Sequence, residues 1–362
     1  MIDEFYDKLL AMSSVKTVIV GLSGGVDSSV AAALCLEQGY HVIGVHMMNW
    51  DQTDPHCPQA QDTQDAKSVA HLLNIPFKVV DFSVEYWQQV FQHFLQEYQL
   101  GRTPNPDILC NQTIKFEAFK QHALTLGADW VATGHYAQLD HTHTTSVLKK
   151  AKDNKKDQSY FLAGVSCEQF KQCMFPLGSM SKDEVRAKAQ ALGLPTALKK
   201  DSTGICFIGE RNFNEFIQQH LMAQPGPIID TEGNSMGRHK GLIFHTIGQR
   251  KGLGIGGAGE AWFVAAKDTK TDTLIVAQGH DHPSLLSKKL SFSDPIWRQQ
   301  PDPQYPVYAK IRYRTPESLC TLDMASKTVQ FASFQRAITP GQYIAFYQDD
   351  ICFGGAIINE VL

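Results

Sequence analysis

A glycine-rich turn near the amino terminus carries the clearest chemistry in this sequence. The residues of the turn are, in order, Gly21, Leu22, Ser23, Gly24, Gly25, Val26, Asp27 and Ser28. The turn follows an apolar, strand-like run and leads into a helical pattern. Glycines let the backbone turn tightly and approach an anion, and the amides and positive dipole end at the start of a helix favour negative charge. The turn therefore predicts a phosphate-binding cradle.

The turn differs from the lysine-containing nucleotide loop, because no lysine followed by Ser or Thr comes after its last glycine. The sequence Ser-Gly-Gly-Val-Asp-Ser instead resembles the pyrophosphate loop of ATP-dependent enzymes that adenylate a substrate oxygen and then replace it. This resemblance implies transfer of AMP, with pyrophosphate as the leaving group.

A second segment places a thiol and a carboxylate close together in sequence. Prolines at positions 104 and 106 favour an extended loop, and a helix is predicted from Asn111. Cys110 would then lie near a helix amino terminus, where a thiol ionises more readily and becomes a better nucleophile. Asp107 could transfer a proton or hydrogen-bond a ligand. An inert, buried thiol is the alternative interpretation of Cys110.

A third segment contains Cys206, in a loop between Gly204 and Gly209 that Lys199 and Lys200 precede. Glycine and the positive charge of lysine suit a sulfur atom that must be loaded and then moved. The two loop cysteines therefore look more like a working pair than like two packing residues. Cys35 and Cys352, in contrast, lie in apolar segments and are predicted core residues.

The elements that must position these residues alternate between strand and helix from Lys16 to about Ala132, which predicts a parallel sheet covered on both faces. The predicted strands are 17–20, 41–46, 77–80 and 130–132, and the predicted helices are 28–38, 59–73, 83–100, 111–126 and 181–192. Ligands bind at the carboxyl ends of such strands. Residues 23–28, 47–50 and 133–136 should therefore converge on one crevice.

The sequence changes character beyond residue 212. Pro225-Gly226-Pro227 marks a boundary, and short alternating strands over 290–362 predict a closed or nearly closed β structure. The predicted fold class is α/β, with a parallel-sheet nucleotide domain (1–211), a small glycine-rich central domain (212–284) and a C-terminal β-barrel-like domain (285–362).

Composition narrows the class of protein. The chain has 362 residues, a formal net charge of −4 and eight cysteines. The amino terminus does not have the pattern of a secretion signal, and no apolar run is long enough to span a bilayer. We therefore expect a cytoplasmic protein with reduced cysteines and no membrane partner.

The absence of Cys-x-x-Cys pairs argues against structural zinc, and no metal ligands are predicted. A lysine cluster over 149–156 could meet phosphates or simply be solvated.

The chain resembles the bacterial tRNA-specific 2-thiouridylases, the MnmA family, along nearly its entire length. The resemblance rests on the pyrophosphate loop together with four later motifs in a fixed order: Asn-Pro-Asp-x-x-Cys-Asn at 105–111, Thr-Gly-His-Tyr at 133–136, Lys-Asp-Gln-Ser-Tyr-Phe at 156–161 and Thr-Gly-Ile-Cys-Phe-Ile-Gly at 203–209. Met48 is a departure, because lysine is common there in the family.

The resemblance implies a role for each matching residue. ATP would be bound by Gly21 to Ser28, by Met47 and by Gly134. Asn105, Pro106 and Asp107 would meet the target uridine, Cys110 would be the nucleophile and Cys206 would carry a persulfide. The tRNA would be contacted by His135, Lys156, Asp157, Gln158, Arg312, Tyr313 and Gln342.

The implied reaction replaces the C2 oxygen of the wobble uridine of tRNA with sulfur. ATP, with Mg²⁺ to neutralise its phosphates, would adenylate that oxygen, and persulfide sulfur on Cys206 would displace AMP. The partners implied by the family are tRNAs of the Lys, Glu and Gln type and a sulfur-relay donor protein.

The residues alone leave three alternatives open. The first is a synthetase-type enzyme that adenylates a small carboxylate with the same loop. The second is a non-catalytic RNA-binding protein with a vestigial nucleotide site. The third keeps the favoured function but has Cys110, Cys206 and a third cysteine hold an iron-sulfur cluster.

Overall fold

A computed structural model describes residues 15–50, 59–142, 145–201 and 213–362. Its strands are β1 Thr17–Gly21, β2 His41–Met48, β3 Phe77–Asp81, β4 Trp130–Ala132, β5 Gln138–Asp140, β6 Val147–Lys149, β7 Cys173–Met174, β8 Gly226–Asp230, β9 Ser235–His239, β10 Trp262–Asp268, β11 Thr273–Gln278, β12 Leu286–Trp297, β13 Val307–Lys310, β14 Ser318–Asp323, β15 Thr328–Arg336, β16 Tyr343–Gln348 and β17 Ile351–Val361.

The α-helices are α1 Val26–Glu37, α2 Gln59–Leu72, α3 Ser83–Tyr86, α4 Gln92–Gln99, α5 Pro106–Cys110, α6 Lys120–Thr125, α7 Cys167–Phe170, α8 Lys182–Ala191 and α9 Phe213–Gln218. Two π-helical segments, Trp87–Phe91 and Asn111–Phe119, join α3 to α4 and α5 to α6, and short 3₁₀ turns occupy Ser159–Leu162, Leu242–Phe244 and Pro283–Leu285. Within the described ranges, no helix is both long and apolar enough to cross a membrane.

The chain divides into two compact units, the first formed by residues up to 90, 107–210 and 350–352, and the second by 91–106, 211–349 and 353–362. The predicted boundary near residue 284 lies inside the second unit. The three-domain division by residue number stays a prediction.

The first unit contains the predicted parallel sheet. Its strand order is β3-β2-β1-β4-β7, and all four pairings between neighbouring strands are parallel. Val18, Val20, Val30 and Val69 belong to one fully buried cluster that joins the sheet to α1 and α2. The fifth strand, β7, was not predicted, because two residues are too short to show a periodic pattern. The parallel α/β fold of this unit is confirmed.

The second unit contains two β structures. A four-stranded sheet has the order β10-β11-β8-β9, and six further strands follow the order β12-β15-β14-β13-β16-β17, with β12 also pairing to β17. That last pairing closes the barrel. Aromatic side chains of Phe292, Trp297, Phe346 and Phe353 contact one another in it. The predicted C-terminal β-barrel is confirmed.

The helix predicted from Asn111 begins earlier, at Pro106. Proline is favoured at the first helical position, because its fixed φ suits the helix and its missing N–H would have no partner there. Pro106 therefore starts the helix instead of prolonging the loop. As a result Asp107 lies in the first turn, and Cys110 is the fifth residue of α5 rather than a residue before the helix.

Candidate nucleotide and thiol site

The turn between β1 and α1 has the backbone that an anion cradle needs. Gly24 has a φ of +77°, and a Cβ built on it would lie 2.3 Å from the carbonyl oxygen of Asp62. Only glycine fits there. The first amides of an α-helix have no intrahelical partner, and Gly25, which caps α1, supplies no side-chain hydrogen bond to them. These features fit the phosphates of a nucleotide.

Hydroxyl groups hold the turn in shape. The amide of Ser23 donates to Oγ of Ser28 over 3.1 Å, and the Oγ atoms of the two serines are also 3.1 Å apart. Ser29 donates from Oγ to the carbonyl of Gly25 over 2.8 Å. The shape of the cradle is therefore held by hydrogen bonds within the turn itself.

The three predicted segments do converge at the carboxyl ends of the strands. A Cβ on Gly134 would lie 2.7 Å from the amide nitrogen of Ser28, and the hydroxyl of Tyr136 donates to Asp27 over 2.7 Å. A Cβ on Gly21 would lie 3.7 Å from Cε of Met47. Residues at the carboxyl ends of β1 and β2, at the start of α1 and after β4 thus line one crevice.

His46 ties the end of β2 to the turn. Its Nδ1 donates to the carbonyl of Leu22 over 2.7 Å, and only 3% of its surface is exposed. Burial is the largest cause that lowers the pKa of His46. The ring is therefore neutral at pH 7, and its hydrogen bond to Leu22 holds the end of β2 against the turn.

A lysine that the sequence analysis did not single out neutralises the turn. Lys182, the first residue of α8, donates from Nζ to both oxygens of Asp27 over 2.7 and 2.8 Å. The same nitrogen lies 2.7 Å from Asp201. The Lys182 side chain is only 10% exposed. The cation that the turn lacks in its own sequence is therefore supplied by a helix 155 positions away.

Asp201 joins this pair to two more basic groups. Lys156 lies 2.6 Å from one of its oxygens, and Arg186 lies 2.9 Å from the other. Burial alone would raise the pKa of Asp201, but the hydrogen bonds from Lys156 and Lys182 outweigh it and lower the pKa to about 2. Asp201 is therefore ionised at neutral pH.

Lys199 supports the other side of the turn. Its Nζ donates to the carbonyl of Gly24 over 3.0 Å and is paired with Asp62 and Asp65. Burial opposes the charge, yet these two carboxylates raise the pKa of Lys199. The charge predicted to favour a thiolate near Cys206 is thus directed in this structure to the turn and to α2.

Of the two predicted catalytic thiols, Cys110 lies within the described residues and Cys206 does not. Cys110 is 1% exposed at the end of α5. The next residue, Asn111, donates from its amide to the carbonyl of Phe161 over 2.9 Å. Asn105, Pro106 and Asp107 are half-buried. Cys206 lies outside the described residues, so its distance from Cys110 stays a prediction.

Other cysteines behave as packing residues. Burial raises the pKa of the Cys35, Cys173 and Cys320 thiols to about 12, and Cys352 is also fully buried. Cys35 and Cys352 were predicted core residues, and their burial confirms this. Among the described residues, no group of three or more His, Cys, Asp or Glu side chains could hold a metal ion.

Residues 156–158, which are predicted to contact tRNA, are held by hydrogen bonds within the first unit. Asp157 is buried and accepts hydrogen bonds from Ala151 and Ser159. Gln158 accepts from the amide of Tyr136 over 2.9 Å, and its own amide donates to the Tyr136 carbonyl. This loop is therefore coupled directly to the nucleotide crevice through Tyr136.

His135 lies in an aromatic cluster and not on an open surface. It is 9% exposed and its ring contacts Phe116 and Phe175. Its Nδ1 is 2.6 Å from Oγ1 of Thr133. Burial, and secondarily the charge of Lys115, holds the pKa of His135 well below its usual value. The predicted contact of His135 with tRNA stays a prediction, but the surroundings are those of a core residue.

Two predicted tRNA contacts of the second unit direct their donors to the protein itself. Arg312 donates from Nη2 to the carbonyls of Ile247 and Ala337 and to Oγ1 of Thr339. Gln342 donates from Nε2 to the carbonyls of residues 103 and 104 over 2.8 and 3.1 Å. Tyr313 is half-buried.

The lysine cluster at 149–156 also has internal partners. Lys149 pairs with Asp140 over 3.0 Å, and Lys152 pairs with Glu184 over 3.2 Å. An exposed pair such as Lys152–Glu184 contributes little to stability. At Lys149 and Lys152 the cluster is therefore neither plain solvated surface nor an open cationic patch.

Sequence reasoning placed Tyr136 in the crevice but missed Lys182 and Asp201. A signal existed for Lys182: Ser181 and Glu184 form a capping box that fixes the start of α8. That signal gives the position of Lys182 on the helix but not its partner Asp27.

Family profiles match most of the chain, and one solved structure is similar to part of it. Three family profiles match in succession: a tRNA methyl transferase HUP domain over 16–210, a tRNA methyl transferase PRC-barrel domain over 214–278 and an aminomethyltransferase β-barrel domain over 287–358. A solved 4-thiouridine synthetase–RNA complex with bound ATP covers 56% of this chain and 50% of its own, at 15% identity and a TM-score of 0.34.

Curated relatives match over nearly the full length. The tRNA-specific 2-thiouridylase MnmA of Halalkalibacterium halodurans is 51% identical over 352 residues, covering 95% of each chain. That of Pseudomonas syringae is 51% identical over 357 residues, covering 96% of this chain and 95% of its own. That of Legionella pneumophila is 50% identical over 356 residues, covering 95% of this chain and 99% of its own. This chain belongs to the tRNA-specific 2-thiouridylase MnmA family.

Proposed function

We propose that this protein is an ATP-dependent tRNA sulfurtransferase that converts the wobble uridine to 2-thiouridine. The observation that carries the proposal is membership of the thiouridylase family over 95% of the chain, together with an anion cradle at the start of α1. The cradle offers backbone amides to phosphate. The proposed contacts of Gly134 and Met47 with ATP are supported by their closeness to Ser28 and Gly21 of the turn.

The crevice would bind ATP through fixed groups. Amides at the start of α1 would meet the phosphates, and Lys182 would hold Asp27 in one orientation. Mg²⁺ characteristically binds to substrate phosphates and one or two carboxylates. Asp27 is a carboxylate beside the cradle, which suits such a shared site. The metal would neutralise charge on the departing pyrophosphate.

The sulfur would come from Cys206. In the proposed sequence, adenylation converts the C2 oxygen into a leaving group and releases pyrophosphate. In one route the terminal sulfur of the Cys206 persulfide attacks C2 and AMP leaves; the Cys110 thiolate then attacks the Cys206 sulfur, which breaks the S–S bond and leaves the outer sulfur on C2. In the other route the Cys110 thiolate attacks the Cys206 sulfur first, and the sulfide that this releases attacks C2 as AMP leaves. Either route ends in a Cys110–Cys206 disulfide, which a dithiol must reduce before the next turnover. The wobble base must leave its stack to react.

The proposed partners follow the family. They are tRNAs of the Lys, Glu and Gln type and a protein that loads sulfur onto Cys206, and we place the enzyme in the cytoplasm. His135, Lys156, Asp157, Gln158, Arg312, Tyr313 and Gln342 are proposed as residues that contact the tRNA or shape the surface that does.

Serine variants of the two thiols test the proposal. Cys110→Ser and Cys206→Ser should each abolish 2-thiouridine formation while ATP still binds, because serine cannot carry a persulfide or form the disulfide. The product is measured by mass spectrometry of tRNA nucleosides, with Cys35→Ser as the matched control. Normal thiolation by either variant would exclude the two-thiol scheme.

Two measurements separate the three alternatives. AMP release that needs no tRNA would indicate a small carboxylate substrate instead, and no AMP release even with tRNA would indicate a non-catalytic RNA-binding protein. Iron in the purified protein, with visible absorbance, would indicate that Cys110 and Cys206 hold a cluster rather than a persulfide.

A further inference from the structure

The carboxamide of Asn49 stands out among buried polar groups. Asn49 follows β2 directly, and none of its surface is exposed. Within the described part of the chain, neither its Oδ1 nor its Nδ2 has a hydrogen-bond partner. A buried amide left unsatisfied at both ends destabilises the fold, and native proteins rarely keep one without a use.

The neighbouring amide of Gln59 shows what a structural role looks like at this place. Gln59 is 5% exposed, and in the orientation that satisfies its amide it donates to the carbonyl of Trp50 over 2.8 Å and accepts from the backbone amide of Asn49 over 2.7 Å. The backbone at the end of β2 is thus already satisfied by Gln59. The Asn49 side chain is not needed for that purpose.

The position of Asn49 points to the nucleotide crevice. Residues two apart in an extended strand share a face, so Asn49 continues the face of Met47. Met47 in turn lies beside Gly21 at the start of the turn, with Cε 3.7 Å from a Cβ built there. Asn49 therefore lies two residues along the chain from Met47, the residue of β2 that borders the turn and that is proposed to contact ATP.

The chemistry of a carboxamide selects one kind of ligand. An asparagine side chain presents an acceptor and a donor side by side, and this pair matches the N6 amino group and N7 of adenine. It has no charge to offer a phosphate. A base edge satisfies both orphaned atoms in a single step, whereas a lone anion leaves Oδ1 unpaired.

We propose that Asn49 binds the N6 and N7 edge of the adenine of ATP and so determines the choice of nucleotide. This inference rests on the proposed use of ATP. The orphaned amide is then a preformed recognition group whose hydrogen bonds are completed only when the nucleotide binds.

The test uses ATP and 7-deaza-ATP, which lacks the N7 acceptor, with the full chain and the variant Asn49→Leu. Leucine has a similar size and no hydrogen-bonding groups. We expect Asn49→Leu to keep or raise Tm without nucleotide, because removing an unsatisfied amide relieves its penalty. We expect ATP to bind about tenfold more weakly, the effect of losing two neutral hydrogen bonds.

The second nucleotide isolates the contact. The natural protein should bind ATP more tightly than 7-deaza-ATP, and Asn49→Leu should bind the two equally, as in a double-mutant cycle. Asn49→Ala provides the same comparison should the leucine variant misfold. Gln59→Leu is the contrasting control, and it should lower Tm because two backbone groups lose their partner.

The outcomes separate the two proposals. If the natural protein binds ATP but Asn49→Leu binds it equally well, or lowers Tm as Gln59→Leu does, Asn49 is structural and the inference is overturned. A continued preference for ATP over 7-deaza-ATP in the variants has the same meaning. If the natural protein binds no ATP at all, the proposed function fails, and this inference fails with it.

Discussion

The nucleotide turn and the predicted tRNA contacts of the second unit use hydrogen-bonding groups in opposite ways. In the turn, Gly25 caps α1 without a side-chain hydrogen bond, Ser28 accepts from the amide of Ser23, and Lys182 pairs with Asp27. In the second unit, Arg312 and Gln342 direct their side-chain donors to carbonyls of neighbouring loops. The turn is open to a ligand, whereas these two side chains already brace the protein.

This difference determines how reliably a sequence motif identifies the residues that contact a ligand. Backbone recognition depends on glycine at fixed positions, so the residues that give the signal also form the site. A surface Arg or Gln can instead contact RNA directly or hold the loop that does. For Gln342 the structure favours bracing, because its partners are the residues that precede Asn105.

The largest expected effect is on ATP binding at the nucleotide turn. Gly24→Ala should abolish detectable ATP binding, because its Cβ would lie 2.3 Å from the Asp62 carbonyl at a φ of +77°. Gly39→Ala is the matched control: its φ is +84° but a Cβ there has nothing within 4 Å. The control should lose only about 1 kcal/mol of stability. Nucleotide titration and denaturant unfolding measure both. Equal loss of ATP binding in the two variants would mean that backbone strain, not the cradle, is responsible.

The second-largest effect concerns Lys182, which supplies a positive charge beside the turn. Lys182→Met should weaken ATP binding about tenfold and cost about 1–2 kcal/mol of stability, because Asp27 and Asp201 lose the ammonium between them. Lys188→Met on the same helix, where Lys188 pairs with the half-exposed Glu37, is the control and should change neither by much. Unaltered ATP affinity in Lys182→Met would leave Lys182 with a structural role only.

A smaller effect distinguishes bracing from direct contact in the second unit. Gln342→Leu should cost about 1 kcal/mol of stability without tRNA, because the carbonyls of Thr103 and Pro104 lose their donor. Thiolation kinetics should then show a lower kcat, since the loop before Asn105 is less well held. A rise in KM for tRNA alone, with stability unchanged, would identify Gln342 as a direct contact.

The smallest effect is a pH dependence. The folded-state pKa of Asp201 is about 2, below its ordinary value of 3.8, so its ionised form stabilises the fold above pH 3.8 and this contribution is lost as the pH falls toward 2. The difference in unfolding free energy between the natural protein and Asp201→Asn should therefore be constant from pH 5 to 8 and shrink below about pH 4. A difference that grows with acidity would contradict the ion-pair account.

Local signals in the sequence predicted much of the first unit. β4 was predicted at Trp130–Ala132, and the crevice segments were predicted from strand ends alone. The misplaced start of α5 came from reading Pro106 as a loop residue, although proline also suits a first helical position. Lys182 and Asp27 could not be paired from sequence, because their contact spans 155 positions and depends on the packing of α8.

Formation of 2-thiouridine at the wobble position of tRNA is the most direct test of the proposed function. Nucleosides from tRNA of cells that lack this protein should contain no wobble 2-thiouridine by mass spectrometry, and the natural gene, but not Cys110→Ser or Cys206→Ser, should restore it. Normal 2-thiouridine in the deficient cells, or restoration by either serine variant, would contradict the account.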